Sequence, residues 1–333
     1  LLKLADLIEA NAEELARLES LDTGHPIRDS RRLDVPRTAA CFRYFGGMAD
    51  KFQGETIPVE EGFLNYTLRE PVGIVGQVVP WNFPLMFTSW KMAPALAAGN
   101  CIVMKPAEIT PLSSLRIAEL MAEAGLPPGV VNMLPGLGSV AGQYIAEHPE
   151  IAKIAFTGST ATGRRIVQAS AGNLKKVQLE LGGKEPNIVF EDANLQAAVN
   201  GSAWAIFHNQ GQACIAGSRL MLHEKIADAF LEQFIPLARS IRLGNPLDEN
   251  TEMGPLTSAQ HRERVLGYVE VAESEGGELL AGGQSPGGDL ARGCYVEPTV
   301  MRAKSYKDRV AQEEVFGPFV TVLTFKNDEE AMQ

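Results

Sequence analysis

The stretch IAKIAFTGSTATGRRIVQASAGNLKKVQLELGG, residues 151–183, decides the fold. IAKIAFT is short and mostly apolar, as a strand covered on both faces is. FTGST turns the chain, ATGRRIVQAS reads as a helix, and KKVQLELGG returns to strand. Strand, helix, strand is the mark of a parallel sheet with crossover helices. The alternation continues upstream. GIVGQVV (73–79) and NCIVMK (100–105) read as strands, and TPLSSLRIAELMAEAG (110–125) as a helix with Thr110 at N-cap, Pro111 at N1 and Gly125 at its end. VVNMLPG (130–136) and SVAGQYIAEH (139–148) repeat the pair. Residues 1–22 read as two short helices, with Leu1, Leu4 and Ile8 at helical spacing and Asn11 with Glu14 as an N-cap pair for the second. Downstream, PNIVF (186–190), a helix over 195–208 and a loop around Cys214 begin a second α/β unit. No internal repeat or low-complexity segment interrupts the pattern.

The chain has 333 residues, 45% hydrophobic and 21% charged, which suits about two soluble domains of roughly 150 residues each. Thirty basic against 41 acidic residues leave a formal charge of −11, and no Lys/Arg run stands out. That balance argues against nucleic-acid or anionic-membrane partners. The longest apolar runs, such as IVGQVVPWNFPLMF, are broken by Gly, Gln, Asn and Pro, so none reads as membrane-spanning. Cys41, Cys101, Cys214 and Cys294 lie far apart, with no C-x-x-C and no Cys/His ligand spacing. The pattern disfavours a metal site or a disulfide scaffold and fits a reducing cytoplasm. The sequence opens without Met, inside an amphipathic helix, and closes after NDEEAMQ; it reads as a piece of a longer chain.

In parallel α/β sheets ligands sit at the carboxyl ends of the strands, which directs attention to residues 80–82, 105–108, 157–163 and 180–183. In FTGSTATG, Gly158 permits a tight turn, Ser159 and Thr160 open a helix whose N-terminus offers donors to a phosphate, and Gly163 allows close helix packing. The run is not G-x-G-x-x-G, and such turns also occur without ligands. In KPAE, Lys105 and Glu108 suit the two hydroxyls of an adenosine ribose, where a carboxylate would repel a 2′-phosphate and favour NAD over NADP; the plain alternative is a pair of solvated loop charges. Asn82, between two prolines in PWNFPL, offers an amide to a developing oxyanion or satisfies its own turn. Glu180, before Gly182 and Gly183, suits a general base or an ordinary salt-bridged carboxylate. Cys214 in NQGQACIAGSR (209–219) sits among Gly211, Ala213, Ala216 and Gly217, where a reactive thiol has access; a structural cysteine is more often a buried small hydrophobe.

Taken together and in order, PWNFPL with Asn82, KPAE at 105–108, FTGST…G at 156–163, LELGGK at 179–184, GQAC at 211–214 and EEVFGPF at 313–319 resemble the aldehyde dehydrogenase superfamily across essentially the whole chain. The aliphatic and betaine-aldehyde branches are the most similar, on VVPWNFPLM and LELGGK. The resemblance implies a Rossmann-like cofactor domain (1–51 and 72–183), an oligomerisation β-arm (52–71) and a second α/β catalytic domain (184–333). It implies NAD as cofactor, a small aldehyde as substrate, and a homodimer or homotetramer. Cys214 matches the nucleophile, Glu180 the base that activates the hydrolytic water, and Asn82 with the Cys214 N–H the oxyanion donors. Lys105 and Glu108 match adenosine-ribose contacts, and Gly158, Ser159, Thr160 and Gly163 the pyrophosphate turn. Val79, Pro80, Trp81, Leu181 and Gly182 match the nicotinamide side. Glu314 and Phe316 match the residues that hold the nicotinamide ribose and pack near the ring. Phe83, Phe87, Trp90 and His208 match the substrate funnel, with ordinary core packing as the alternative for the three helical aromatics and with His208 where an aromatic is frequent. Lys91 matches a position linked to proton relay, with a surface charge as the alternative.

Rival readings remain. A CoA-acylating enzyme would use CoA rather than water, and Glu180 speaks against it. A non-catalytic protein on this fold is disfavoured by the Cys214, Glu180 and Asn82 set. A P-loop hydrolase would need GK[ST] after its glycines.

Overall fold

The computed structural model describes residues 1–332, and the chain divides into two units, Leu1–Asp22 with Asp29–Leu181 and Thr23–Arg28 with Gly182–Gln333. In the first unit two short strands, β1 (Thr56–Ile57) and β2 (Asn65–Tyr66), pair antiparallel and are fully on the surface. Five strands follow: β3 (Ile74–Val78), β4 (Cys101–Lys105), β5 (Val131–Met133), β6 (Ile151–Thr157) and β7 (Lys176–Glu180). They form one parallel sheet in the order β5-β4-β3-β6-β7. The order reverses between β3 and β6, so the crevice at their carboxyl ends is the topological switch point of the sheet. Interior β6 is mostly buried, whereas edge strand β7 alternates exposed and half-buried residues, as a strand paired on one side does. Ile145, Ile151, Ile154, Phe156 and Ile166 fill the layer between the sheet and the helices Gln143–Glu147 and Thr160–Ser170.

Two cap expectations change. The helix expected over 110–125 runs Leu112–Glu123, and the first N–H, that of Leu112, donates to the Asp22 carboxylate at 2.8 Å; Thr110 instead turns its hydroxyl to the Trp81 carbonyl. A carboxylate from another helix supplies what the local threonine was expected to supply. Gly125, at φ +92°, follows the helix in the left-handed conformation expected of its terminator. Asn11 donates its amide back to the Leu7 carbonyl, closing the helix Leu2–Ala10 rather than capping Ala12–Thr23.

The second unit holds β8 (Pro186–Val189), β9 (Arg219–His223), β10 (Glu278–Ala281), β11 (Thr299–Arg302) and β12 (Phe319–Phe325), ordered β10-β11-β12-β9-β8. All pairs are parallel except β10 with β11, an antiparallel edge that makes this sheet mixed. Alternation along β12 serves two cores. Val320 and Val322 join Phe207, Phe230 and Phe234, while Phe319 joins Val265, Val269 and Met301. The helices Leu195–Phe207 and Ala259–Ser274 start at side-chain caps, Asn194 accepting from the Ala197 N–H and Ser258 from the His261 N–H. Among the described residues no helix is long and apolar enough to cross a membrane.

Candidate active site

A cleft of about 650 Å³ opens at the carboxyl ends of β3, β4 and β6, within the size range of small-molecule sites. Val79, Pro80, Trp81, Lys105, Glu108, Gly158 and Ser159 line it together. Thr160 and Gly163 lie behind that wall in the helix Thr160–Ser170, and a Cβ on Gly163 would stand 2.7 Å from Leu181 Cδ2. The glycine therefore lets the helix approach the end of β7. Ser159 caps this helix, its Oγ accepting from the Thr162 N–H at 3.3 Å and donating to Thr162 Oγ1 at 3.0 Å. Beside it the buried Thr157 hydroxyl lines the cleft without a hydrogen-bond partner among the described residues. Thr157 falls within the stretch 157–163 that the sequence singles out, though without a role of its own, whereas the lining residues from Gly138 to Glu147 carry no motif, and only their folded position brings them to the cleft.

Lys105 is not a solvated loop charge. It is buried, and its ammonium donates to the carbonyls of Pro106 (2.7 Å) and Gly136 (2.8 Å) and to Glu108 Oε2 (3.0 Å). All three of its hydrogens are engaged. Burial raises the Glu108 carboxyl, but its own N–H, the Lys105 ammonium and the Gly138 N–H outweigh that and hold it below the usual value. The resulting anion is half-exposed and keeps acceptor capacity for a ligand hydroxyl.

Asn82 is buried just ahead of the helix Pro84–Ala97. Along that helix Phe83 and Phe87 meet edge-on at 6.5 Å between centroids, and Phe87 and Trp90 at 5.5 Å; Trp90 is about half exposed. Lys91 is buried rather than a surface charge. Burial pushes its ammonium down, the Glu180 carboxylate opposes that, and Lys153 adds to it. Glu180 ends β7 with an exposed side chain, and its carbonyl accepts from the Gly158 N–H at 3.0 Å.

The second unit carries the remaining candidates. The helix Leu195–Phe207 stops at His208, whose ring stacks on Trp204 at 5.0 Å and meets His25 edge-on at 5.3 Å. Asn209, Gln210 and Gly211 then take φ values of +48°, +56° and +69°, three left-handed residues in succession, and the half-buried Cys214 follows. Only a glycine fits at 211, because a Cβ there would collide with the Gly317 carbonyl. The loop is pinned, not loose. Gln210 Nε2 donates to the carbonyls of Gly24 (3.0 Å) and Pro255 (2.8 Å), and Gln212 Oε1 accepts from the Thr257 N–H (3.1 Å).

Glu314 lies against Gly182 and accepts from the Gly183 N–H at 3.3 Å. Burial raises its carboxyl against that N–H and the charges of Arg264 and Lys184. Phe316 holds a left-handed backbone, φ +64°. One face of the helix Ala259–Ser274 grips this turn. His261 Nε2 bonds the Phe316 carbonyl (2.6 Å), Arg264 donates to the Glu314 carbonyl (2.8 Å) and Tyr268 to the Glu313 carboxylate (2.8 Å). Lys184, next to Gly183, was not singled out from the sequence. Its Nζ is buried without a hydrogen-bond partner among the described residues, and burial, with Arg219 adding and Glu314 opposing, brings it down to about 8.

A parallel sheet with a donor-lined cleft at its switch point, and a thiol on a pinned loop, define a dinucleotide-type α/β protein with a presented cysteine. The aldehyde dehydrogenase family model matches residues 1–333, and the chain belongs to that family. It is 48% identical to the betaine aldehyde dehydrogenase of Bacillus subtilis over 335 residues, covering all of this chain and 68% of that protein. With the mitochondrial aldehyde dehydrogenase of Homo sapiens it shares 48% over 332 residues, 99% of this chain and 63% of the relative. Among solved structures, PnpE from Pseudomonas sp. WBC-3 is 72% identical with a TM-score of 0.98, covering 99% of this chain and 68% of PnpE, and a PnpE structure is known in complex with nicotinamide adenine dinucleotide. The chain thus spans about two thirds of the length of the relatives it matches.

Proposed function

We propose that the protein oxidises an aldehyde to a carboxylic acid with NAD, through a thioester on Cys214. The cleft at the ends of β3, β4 and β6 carries this reading. Its residues fit a dinucleotide: the capped helix N-terminus and the Thr157 hydroxyl offer donors to a pyrophosphate, and Glu108 offers an acceptor to a ribose hydroxyl. Because the Lys105 hydrogens are already engaged, Glu108 is the stronger hand on the adenosine ribose, and its negative charge disfavours a 2′-phosphate. Thr160 and Gly163 would shape the pyrophosphate turn, Val79, Pro80, Trp81, Leu181 and Gly182 would line the nicotinamide side, and Glu314 and Phe316 would hold the nicotinamide ribose. NAD, when bound, supplies the hydride acceptor.

The chain's own residues do the rest. The Cys214 thiolate adds to the aldehyde carbon, giving a thiohemiacetal whose oxyanion takes hydrogen bonds from the Asn82 amide and the Cys214 N–H. Collapse leaves the acyl group on Sγ. Glu180 takes a proton from the water that releases the acid. The buried ammonium of Lys91, coupled to Glu180, suits a proton-handling role beside that base. Phe83, Phe87, Trp90 and His208 wall the substrate path, and the name of one relative, betaine aldehyde dehydrogenase, favours a betaine-type aldehyde. The exposed hairpin of β1 and β2, flanked by Phe63, Leu64 and Leu68, each more than 70% exposed, suits pairing between subunits of a cytoplasmic homodimer or homotetramer. The test is NADH production from a panel of aldehydes by the full chain, with and without CoA. Acid formation without CoA supports the reading, and strict dependence on CoA overturns it in favour of the acylating enzyme.

A further inference from the structure

We infer that Gln210 is the positioning residue for the Cys214 thiol, acting by tying the nucleophile loop to the segment at Gly24 and to the turn at Pro255. The inference rests on the reading of Cys214 as nucleophile. Asn209, Gln210 and Gly211 all hold positive φ, a run that L residues adopt only when the surroundings impose it. Asn209 and Gln210 are both buried; Asn209 Nδ2 donates within the run to the Gln212 carbonyl (3.3 Å), whereas Gln210 reaches outside it. Its Nε2 meets two carbonyl oxygens, those of Gly24 at 3.0 Å and Pro255 at 2.8 Å. Two acceptors can be answered only by the amide NH₂, so the orientation of the side chain follows from its neighbours. The opposite end confirms what the amide is there for: Oε1 is buried and has no hydrogen-bond partner among the described residues. Both donors serve the clamp and the acceptor is left idle.

The two anchors are themselves locked. Gly254, next to Pro255, packs so tightly on Gly24 that a Cβ would strike the Gly24 carbonyl, and Ile27 donates its N–H to the Pro246 carbonyl at 2.8 Å. On the far side of the run, Gln212 Oε1 accepts from the Thr257 N–H, so both ends of Gly211 are held to the segment 255–257. The backbone that leads into Cys214 is therefore set by contacts from residues 186 positions upstream and 45 positions downstream in sequence. No hydrogen bond from Gln210 to the thiol is needed for this. Gln210 acts through the direction in which the loop delivers it.

The test uses Gln210→Met and Gln210→Glu in the full chain, with Cys214→Ala as control. Methionine keeps the length and loses both donors. Glutamate keeps the shape, sets an anion against two carbonyls, and regains one donor when protonated. The clamp predicts that alkylation of Cys214 by iodoacetamide and kcat each fall about 10- to 100-fold in both variants, the scale of a nucleophile displaced by an ångström. NAD affinity should stay within about twofold. Relative to wild type, Gln210→Glu alone should recover as pH falls from 8 to 5, a signature that a packing defect lacks. Wild-type alkylation and kcat in Gln210→Met overturn the inference, as does loss of NAD binding in both variants, which would make Gln210 a determinant of the fold. If Cys214→Ala retains turnover, the nucleophile reading itself fails, an outcome distinct from either.

Discussion

The turn at residues 156–160 and the loop at residues 208–214 both present polar atoms at the end of a regular element, yet they are built in opposite ways. In the first, β6 runs into a helix whose N-cap is the next-door Ser159, and no residue of the turn has a positive φ. Its donors are helix N–H groups, present wherever a helix begins. In the second, a helix ends, three residues take left-handed backbone, and amides from Gln210 and Gln212 reach far along the chain to hold them. Non-glycine residues in that region cost about 1–3 kcal/mol each. Donors for a phosphate can be made from ordinary backbone, whereas aiming the thiol proposed as nucleophile takes strain and distant partners.

If the contrast is sound, the two regions fail separately. The largest effect should come from Cys214→Ala, which removes the proposed nucleophile and should lower turnover by at least about 10⁴-fold while NAD affinity stays near wild type. Steady-state rates and a cofactor titration check this. Residual turnover above a trace, or joint loss of cofactor binding, would break the separation.

Glu180→Gln comes next. It keeps shape and hydrogen-bonding reach but removes the proposed base, and general-base catalysis contributes about 10²–10⁴-fold. Rapid mixing should show a burst of up to one NADH per site, then slow turnover, with an acyl adduct on Cys214 by mass spectrometry. A slow burst without adduct would mean that Glu180 acts on the thiol instead. Near-normal turnover would take it out of the mechanism.

Lys184 sharpens the view that the second unit stores strain. Its amine sits at about 8, against roughly 10.4 in an unfolded chain. Between those values the unfolded state holds a proton that the folded state has released, so stability rises with pH across the window. Below pH 8 the burial of the charge costs its full amount, on the order of 3 kcal/mol from the difference of the two values. Lys184→Met should therefore be more stable than wild type at pH 7, with the advantage shrinking from pH 8 to about 10.5. Denaturant melts across that range test it. A variant less stable at pH 7 would mean that Lys184 is held by an interaction that outweighs its burial.

What could be read from the sequence follows the same division. The parallel sheet was legible because β3, β4 and β6 are short apolar runs separated by punctuated helices, patterns that live within about ten residues. The second α/β unit was legible at PNIVF and the helix after it. The antiparallel edge of β10 on β11 was not, since strand direction depends on pairing rather than on composition. The caps at Asn11 and Thr110 were misplaced because their donors or acceptors come from Leu7, Asp22 and Trp81, partners that a local pattern does not hold. Lys91 and Lys105 look like surface charges in sequence, and only the fold buries them. The candidate residues were found through motifs, yet Thr157, Lys184 and Gln210 carry their meaning in atoms that lack partners or that find them far away.

The smallest expected effect tests the cofactor side. Ser159 caps the helix Thr160–Ser170 and also lines the cleft, so Ser159→Ala separates two roles of one hydroxyl. As a cap alone, its loss should cost about 1 kcal/mol, within the usual range of 0.5–2. In a unit of this size that lowers Tm by about 2–4 °C. The bond it makes to the Thr162 N–H is long, 3.3 Å, which favours the lower half of the range. As a pyrophosphate contact too, its loss should also weaken NAD by about 10-fold, the worth of a hydrogen bond to a charged group. The two contributions are measured independently, by melting without cofactor and by titration with it. A fall in Tm with unchanged affinity makes Ser159 a cap and leaves the helix N–H groups to carry the phosphate. A fall in affinity with unchanged Tm makes the hydroxyl a ligand whose cap bond is incidental. A drop in both would mean that one side chain both starts the helix and turns that start into a binding site, so that in this region, unlike the cysteine loop, fold and function rest on the same local bond.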